Sequence, residues 1–101
     1  MSEPQLPPSW DGSVVLDIGG DVGALMLRTS STSIGLEIGL EPDDATSPHT
    51  HGAVRERRLL GGVAYAAVYP SLKAGAYTVA GSGQRVVIVG GAVTEVEYDA
   101  W

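Results

Sequence analysis

The stretch IGLEIGLE at positions 34–41 decides the fold class of this chain. Its aliphatic residues Ile34, Leu36, Ile38 and Leu40 alternate strictly with two glycines and two glutamates. Successive side chains of a β-strand point to opposite faces, so this period of two puts all four aliphatic side chains on one face. A helix would scatter them around its circumference. The stretch therefore predicts a half-buried strand over 34–41, with its glutamates in solvent.

Similar short apolar runs, separated by glycine-rich or polar breaks, continue on both sides of that strand. Regular spacing of this kind is typical of all-β proteins. The Gly90-Gly91 pair predicts a two-residue hairpin turn, so the last three strands are expected to form a C-terminal β-meander. Pro70 is expected to end the strand before it. Further strands are predicted at 13–18, 24–29, 50–58, 63–69, 76–80, 85–89 and 92–98.

About eight strands with apolar faces need two layers of sheet to be buried. A single sheet would leave one apolar face in water, whereas two sheets packed face to face bury both. The sequence therefore predicts an all-β fold, a small two-sheet β-sandwich of about seven to eight mostly antiparallel strands. The 101 residues fit one domain. Residues 1–12 contain three prolines and predict a flexible leader, and 13–101 are expected to form the sandwich domain.

Composition excludes several function classes. The net charge of −6 makes nucleic acid and anionic membrane surfaces unexpected partners, because phosphate groups repel an acidic protein. The absence of cysteine rules out disulfides, metal–thiolate sites and thiol nucleophiles. No apolar run approaches the roughly 18 residues that a membrane span needs, and the N-terminus lacks a secretory pattern. A cytoplasmic location is therefore expected.

Charged and aromatic residues indicate a candidate interaction surface. Two acids and a basic cluster lie between positions 43 and 58, and a tryptophan lies near each chain end. Exposed aromatic side chains favour interfaces, so a protein partner or self-association is expected. The alternative is that the tryptophans fold back as lids over the ends of the sandwich. The residues of this predicted surface are Asp43, Asp44, Arg55, Arg57, Trp10 and Trp101.

The two histidines of the chain, His49 and His51, form an HxH pair. On a strand, positions i and i+2 point to the same face about 7 Å apart, so both imidazoles can bind one ion. Such ligands suit Zn²⁺, Cu²⁺ or Ni²⁺. Tight binding needs a third ligand, for which Glu56 is the candidate if a bulge or turn follows His51. The alternatives are Asp43, Asp44 and Glu37. The alternative is that both histidines are simply solvated.

Two partial resemblances involve these segments. Leu72, Gly75, Tyr77 and Val79 match an L-x-x-G-x-Y-x-V pattern, and this part of the chain resembles the C-terminal half of transthyretin-like and Cna-B-type domains. That resemblance implies a sandwich and leaves function open, since such domains serve as stalks, carriers and accessory modules. The stretch HTHGAVRE (49–56) resembles the first cupin motif, in which two histidines and a glutamate bind a metal inside a β-barrel.

The cupin resemblance has departures, because Asp43 stands where the motif has glycine and Thr78 where the second motif supplies a ligand. The whole chain is also similar to a family of short bacterial proteins sometimes labelled phospholipase. It has neither a G-x-S-x-G elbow nor a calcium loop with cysteines. The sequence thus favours a small non-enzymatic binding or accessory module, with a divalent metal on the HxH pair as one option. The alternatives are a cupin-like metal-dependent enzyme and a structural, oligomer-forming protein.

Overall fold

A computed structural model describes residues 18–44 and 49–98, and these form two four-stranded sheets. The first sheet has the order β4-β5-β1-β8 and the second the order β3-β2-β6-β7. Every strand pair is antiparallel except β1 with β8. The predicted small two-sheet β-sandwich of mostly antiparallel strands is confirmed. The strands are β1 Val22–Thr29, β2 Glu37–Pro42, β3 Thr50–Ala53, β4 Arg55–Leu59, β5 Gly62–Lys73, β6 Gly75–Val79, β7 Arg85–Ile88 and β8 Val93–Glu97.

The hydrophobic core lies between the two sheets and follows the period-two pattern of their strands. Leu25 and Leu27 of β1 point inward, as do Ile38 and Leu40 of β2. Tyr69 of β5 crosses the core, and its hydroxyl donates to the Ile38 carbonyl oxygen of the other sheet at 2.6 Å. The buried members of this core are Leu25, Leu27, Ile38, Leu40, Val54, Ala67, Tyr69, Leu72, Tyr77, Val79, Val86 and Ile88.

The strand predicted over 34–41 is correct only in its second half. Strand β2 begins at Glu37, and Ile34 and Leu36 are 56% and 45% exposed. A short 3₁₀ helix, Ser31–Ser33, and a positive φ of 87° at Gly35 turn the chain before β2. Glycine reaches that conformation without steric cost, so the alternation IGLE at 34–37 continues in sequence while the backbone has left the extended form.

The strand predicted over 50–58 is divided at Val54. Residues before it pair with β2 in the second sheet, and residues after it pair with β5 in the first. Val54 is buried, its N–H donates to the Leu36 carbonyl at 2.9 Å, and its carbonyl accepts from the Gly35 N–H at 2.9 Å. The chain therefore changes sheets at this point, which separates the two ends of the predicted strand.

Strand β5 does not end at Pro70 as predicted, because it continues to Lys73. Its register against β1 shifts between the pairs Gly23–Leu72 and Leu25–Tyr69, which leaves one extra residue on β5 beside Pro70. A bulge of this kind tolerates the missing N–H of proline.

The predicted C-terminal β-meander is wrong. Strand β7 pairs with β6, but the turn at Gly90-Gly91 leads across to the other sheet, where β8 runs parallel to β1. Close approach of the backbones makes this crossing possible. A Cβ at Gly90 would overlap the Gly20 carbonyl oxygen, and one at Gly23 would overlap the Val89 carbonyl oxygen. The glycine pair thus marks a crossover rather than a hairpin.

Candidate functional site

The structure does not bring the three predicted metal ligands together. His51 lies exposed on β3, with its ring over Gly39, because a Cβ built there would lie 3.5 Å from the His51 Cδ2 atom. His49 directly precedes the same strand and is also exposed. Glu56 lies beyond the sheet change at Val54, on β4 opposite Tyr65. Within residues 18–44 and 49–98, no three His, Asp or Glu side chains form a group that could hold a metal ion.

The predicted interaction surface is also divided. Asp43 and Asp44 follow the end of β2, whereas the chain reaches Arg55 and Arg57 beyond the opposite end of that strand. Arg55 is exposed, but Arg57 is only 9% exposed and its Nε donates to the Ala66 carbonyl oxygen at 3.4 Å. Trp10 and Trp101 lie outside the described residues. The acids and the arginines therefore do not form one continuous surface.

A small cleft lies beside Asp43 and Asp44, with Lys73 and Tyr77 in its wall. Its volume of about 180 Å³ is below the range of roughly 300–1,000 Å³ that small-molecule sites occupy. The Tyr77 hydroxyl donates to the Lys73 carbonyl oxygen at 2.7 Å, and burial together with nearby Asp44 raises the pKa of that phenol. The phenol is thus held protonated and already donates its hydrogen bond to the main chain, so it offers no base to this cleft.

The edges of the two sheets differ in how they are protected against pairing with another chain. The edge strand β4 has the sequence RERRL, and the edge strand β8 exposes Glu95 and Glu97. Charged side chains of this kind prevent edge-to-edge association. Strand β3 is four residues long, as β7 is, and it exposes the polar side chain of His51. On the fourth edge, β7 exposes Val87, and Val89 directly follows it, with exposed fractions of 63% and 57%.

Among the described residues, the outer side of the β7 main chain has no strand partner. The Val79 N–H donates to the Gln84 carbonyl at 2.7 Å, which fixes the alternation of bonded pairs between β6 and β7. Since bonded and non-bonded pairs alternate in an antiparallel ladder, the N–H and C=O groups of Arg85 and Val87 point away from β6. In the part of the chain that the structure describes, β6 is the one strand paired with β7.

The single charged residue of β7 is neutralised within its own sheet. Two of the guanidinium nitrogens of Arg85 donate to the Asp43 carboxylate, Nη1 to Oδ1 at 3.3 Å and Nη2 to Oδ2 at 2.5 Å. The hydrogen bond to Asp43 raises the pKa of Arg85. An exposed ion pair adds little to folding stability, but it cancels the charge that would otherwise guard this edge. The open edge of β7, defined by Arg85, Val87 and Val89, is therefore the least protected of the four.

Sequence reasoning missed this edge because it expected the strand over 85–89 to be the middle of a meander, with both sides paired. The run RVVIV reads as continuously apolar, and nothing in it separates buried Val86 and Ile88 from exposed Val87 and Val89. The alternation becomes visible only when one side of the strand is known to pack on a core. The sequence does carry one signal for this edge. The strands β4 and β8 contain several charged residues, whereas the run RVVIV contains only Arg85.

Residues of the transthyretin-like pattern have clear structural roles. Leu72, Tyr77 and Val79 all point into the core, and Gly75 has a φ of 144° where β6 begins. Comparison with known proteins adds nothing to this pattern, since no family model, no curated protein and no solved structure matches the chain. The family resemblances therefore stay predictions. Among the described residues, no helix is long and apolar enough to cross a membrane.

Proposed function

We propose that this protein is a small, non-enzymatic interaction module that assembles with a second copy of itself through the open edge of β7. The observation that carries the proposal is the exposure of Val87 on an edge strand whose outward main-chain groups have no strand partner among the described residues. An edge whose exposed side chains are apolar apart from one ion-paired arginine is a template for pairing with another strand. An accessory role of this kind is also what the transthyretin-like resemblance implies.

A second copy fits this edge because the edge is complementary to itself. Two β7 strands related by a twofold axis beside Val87 run antiparallel, as an isologous contact requires. The two Val87 side chains then lie directly opposite each other on one face of a continuous sheet. Arg85 of one copy lies opposite Val89 of the other, so its aliphatic stem covers that valine while its guanidinium stays with Asp43. No like charges meet across this pairing.

The expected affinity is low. Fully burying a valine side chain contributes about 1.5–3 kcal/mol, and each added main-chain hydrogen bond contributes about 0.5–1.5 kcal/mol. These gains oppose an association cost of about 4–15 kcal/mol. The gains and the cost are of similar size, so we expect a weak dimer and test for it at concentrations of about 1 μM to 1 mM. Assembly should therefore depend on concentration within that range.

Sedimentation equilibrium across that range tests the proposal. Wild type should shift from monomer to dimer, and Val87→Lys should remain monomeric because it places two like charges opposite each other. Val63→Lys is the matched control, since Val63 is 54% exposed and lies on β5 of the other sheet. It should dimerise as wild type does. A monomeric wild type, or equal dimerisation of both variants, would contradict the proposal.

A further inference from the structure

A second cleft lies at the end of the sandwich where β1 and β8 both finish. These two strands run parallel, so Thr29 and Glu97 at their carboxyl ends lie at the same end of the sheet. The 3₁₀ helix Ser31–Ser33 follows β1 there and adds its last residue to the wall. The cleft has a volume of about 340 Å³, within the range of roughly 300–1,000 Å³ that small-molecule sites occupy. Its described wall residues are Thr29, Ser30, Ser33, Glu97 and Tyr98.

Hydrogen bonds on two sides hold the wall of this cleft in place. The Tyr98 N–H donates to a β1 carbonyl at 2.7 Å, which extends the pairing of β8 with β1 by one residue. The Gln84 Nε2 atom donates to the Glu97 carbonyl at 2.7 Å and joins this wall to the turn between β6 and β7. On the other side, the Ser33 N–H donates to the Ser30 carbonyl at 3.0 Å. The cleft is therefore formed without a ligand.

The wall is mostly polar, and hydroxyl groups supply much of its hydrogen-bonding capacity. Thr29 Oγ1 donates to the Tyr65 carbonyl at 3.3 Å, so its lone pairs remain to accept. The Ser30 and Thr32 hydroxyls share one hydrogen bond of 2.7 Å. The Ser33 hydroxyl has no hydrogen-bond partner among the described residues. A hydroxyl has one donor and two acceptor lone pairs, so each of these groups can still both give and take bonds from a ligand or water.

These wall groups match a neutral polyhydroxy ligand better than a charged one. The described wall contains no basic side chain and one acidic residue, Glu97, which disfavours a phosphate or carboxylate. An ammonium group has donors only, so it would leave the donors of the wall hydroxyls unpaired. Each hydroxyl of a sugar donates and accepts, as the wall hydroxyls do. The Tyr98 side chain adds an aromatic surface for the carbon atoms of a sugar ring.

We propose that this cleft binds one neutral sugar or polyol unit. Its hydroxyl groups bond to the serine and threonine side chains of the wall, and its ring carbons lie against Tyr98. The volume accommodates a single ring, and one side of the cleft is open to solvent, so the site selects for hydroxyl-rich ligands of small size. The inference does not depend on the proposed assembly through β7.

Titration of the ¹⁵N-labelled protein with D-glucose, D-galactose, D-mannose and myo-inositol, followed by amide chemical shifts, tests this assignment. At the ligand efficiency of ordinary small molecules, the roughly 12 non-hydrogen atoms of a hexose correspond to a dissociation constant of about 1–10 mM. At least one of these compounds should therefore give saturable shifts below about 100 mM, concentrated at residues 29–33 and 97–98. Inorganic phosphate and methylammonium should give none at the same concentration.

Two alanine variants locate the binding on the wall. Ser33→Ala should weaken the binding about two- to tenfold, because it removes one hydrogen-bonding group from the cleft. Ser31→Ala is the matched control, since Ser31 is exposed in the same 3₁₀ helix and is not part of the wall, and it should bind as wild type does. The absence of saturable shifts with all four compounds would overturn the proposal. Equal affinities of the two variants, or saturation of the same residues by phosphate or methylammonium in place of the sugars, would also overturn it.

Discussion

Replacing Gly52 by alanine should destabilise the sandwich through one identified contact. A Cβ at this position of β3 would lie 2.9 Å from the Cε2 and Cζ atoms of Tyr69, closer than carbon atoms tolerate. The Tyr69 ring must move, and its hydroxyl then loses the 2.6 Å hydrogen bond to the Ile38 carbonyl. Overpacking costs about 1–3 kcal/mol and the hydrogen bond about 0.5–1.5 kcal/mol. The expected loss of unfolding free energy is therefore about 1.5–4.5 kcal/mol.

Urea denaturation of four variants separates these contributions. Gly39→Ala is the matched control, since a Cβ there meets its nearest neighbours at 3.5 Å, and it should change stability by less than about 0.5 kcal/mol. In a Tyr69→Phe background the hydrogen bond is already absent, so Gly52→Ala should cost less than in wild type. Equal losses for the two alanine variants, or full additivity with Tyr69→Phe, would show that the contact between position 52 and Tyr69 does not cause the loss.

Three further predictions concern the core, the pH range and the histidines. Ile38→Ala should cost about 2–5 kcal/mol in urea denaturation, whereas exposed Leu36→Ala should cost clearly less; equal costs would contradict the observed strand boundary. Burial raises the pKa of Tyr69, so the folded protein keeps this proton longer than the unfolded chain and stability should fall as pH rises above about 10. The stability of Tyr69→Phe should fall less over the same pH range. An equal fall in both proteins would mean that Tyr69 is not the group responsible. The described residues add no third ligand to His49 and His51, so Ni²⁺ should leave the wild-type melting temperature unchanged. A rise that His49→Ala/His51→Ala lacks would restore the metal hypothesis.

Period-two alternation correctly predicts which side chains are buried where the strand packs on the core. Ile38 and Leu40 show this, because their burial follows directly from the pattern that predicts the strand. Ile34 and Leu36 have the same pattern and are exposed, since a positive φ at Gly35 turns the backbone before β2 begins. Local alternation specifies which residues share a face and does not specify where the strand starts.

Local sequence patterns do not specify which of the two sheets a strand joins. A glycine pair is compatible with a hairpin or with a crossover, and Gly90-Gly91 forms a crossover because β8 finds its partner in β1. The division at Val54 is of the same kind, since it depends on hydrogen bonds to Leu36 and Gly35 that are distant in sequence. The candidate site follows from these long-range pairings. The edge of β7 is open only because β8 leaves it.

A cysteine at position 87 reports whether two copies of the protein meet through β7. The chain contains no cysteine, so Val87→Cys introduces a single thiol. Directly opposed residues of an antiparallel pair have Cα atoms about 4.5–5.5 Å apart, within the range that a disulfide bridges. Under mild oxidation, Val87→Cys should give a covalent dimer on non-reducing gels, while the control Val63→Cys stays monomeric. Equal cross-linking of the two variants, or none with Val87→Cys at concentrations up to about 1 mM, would contradict assembly through this edge.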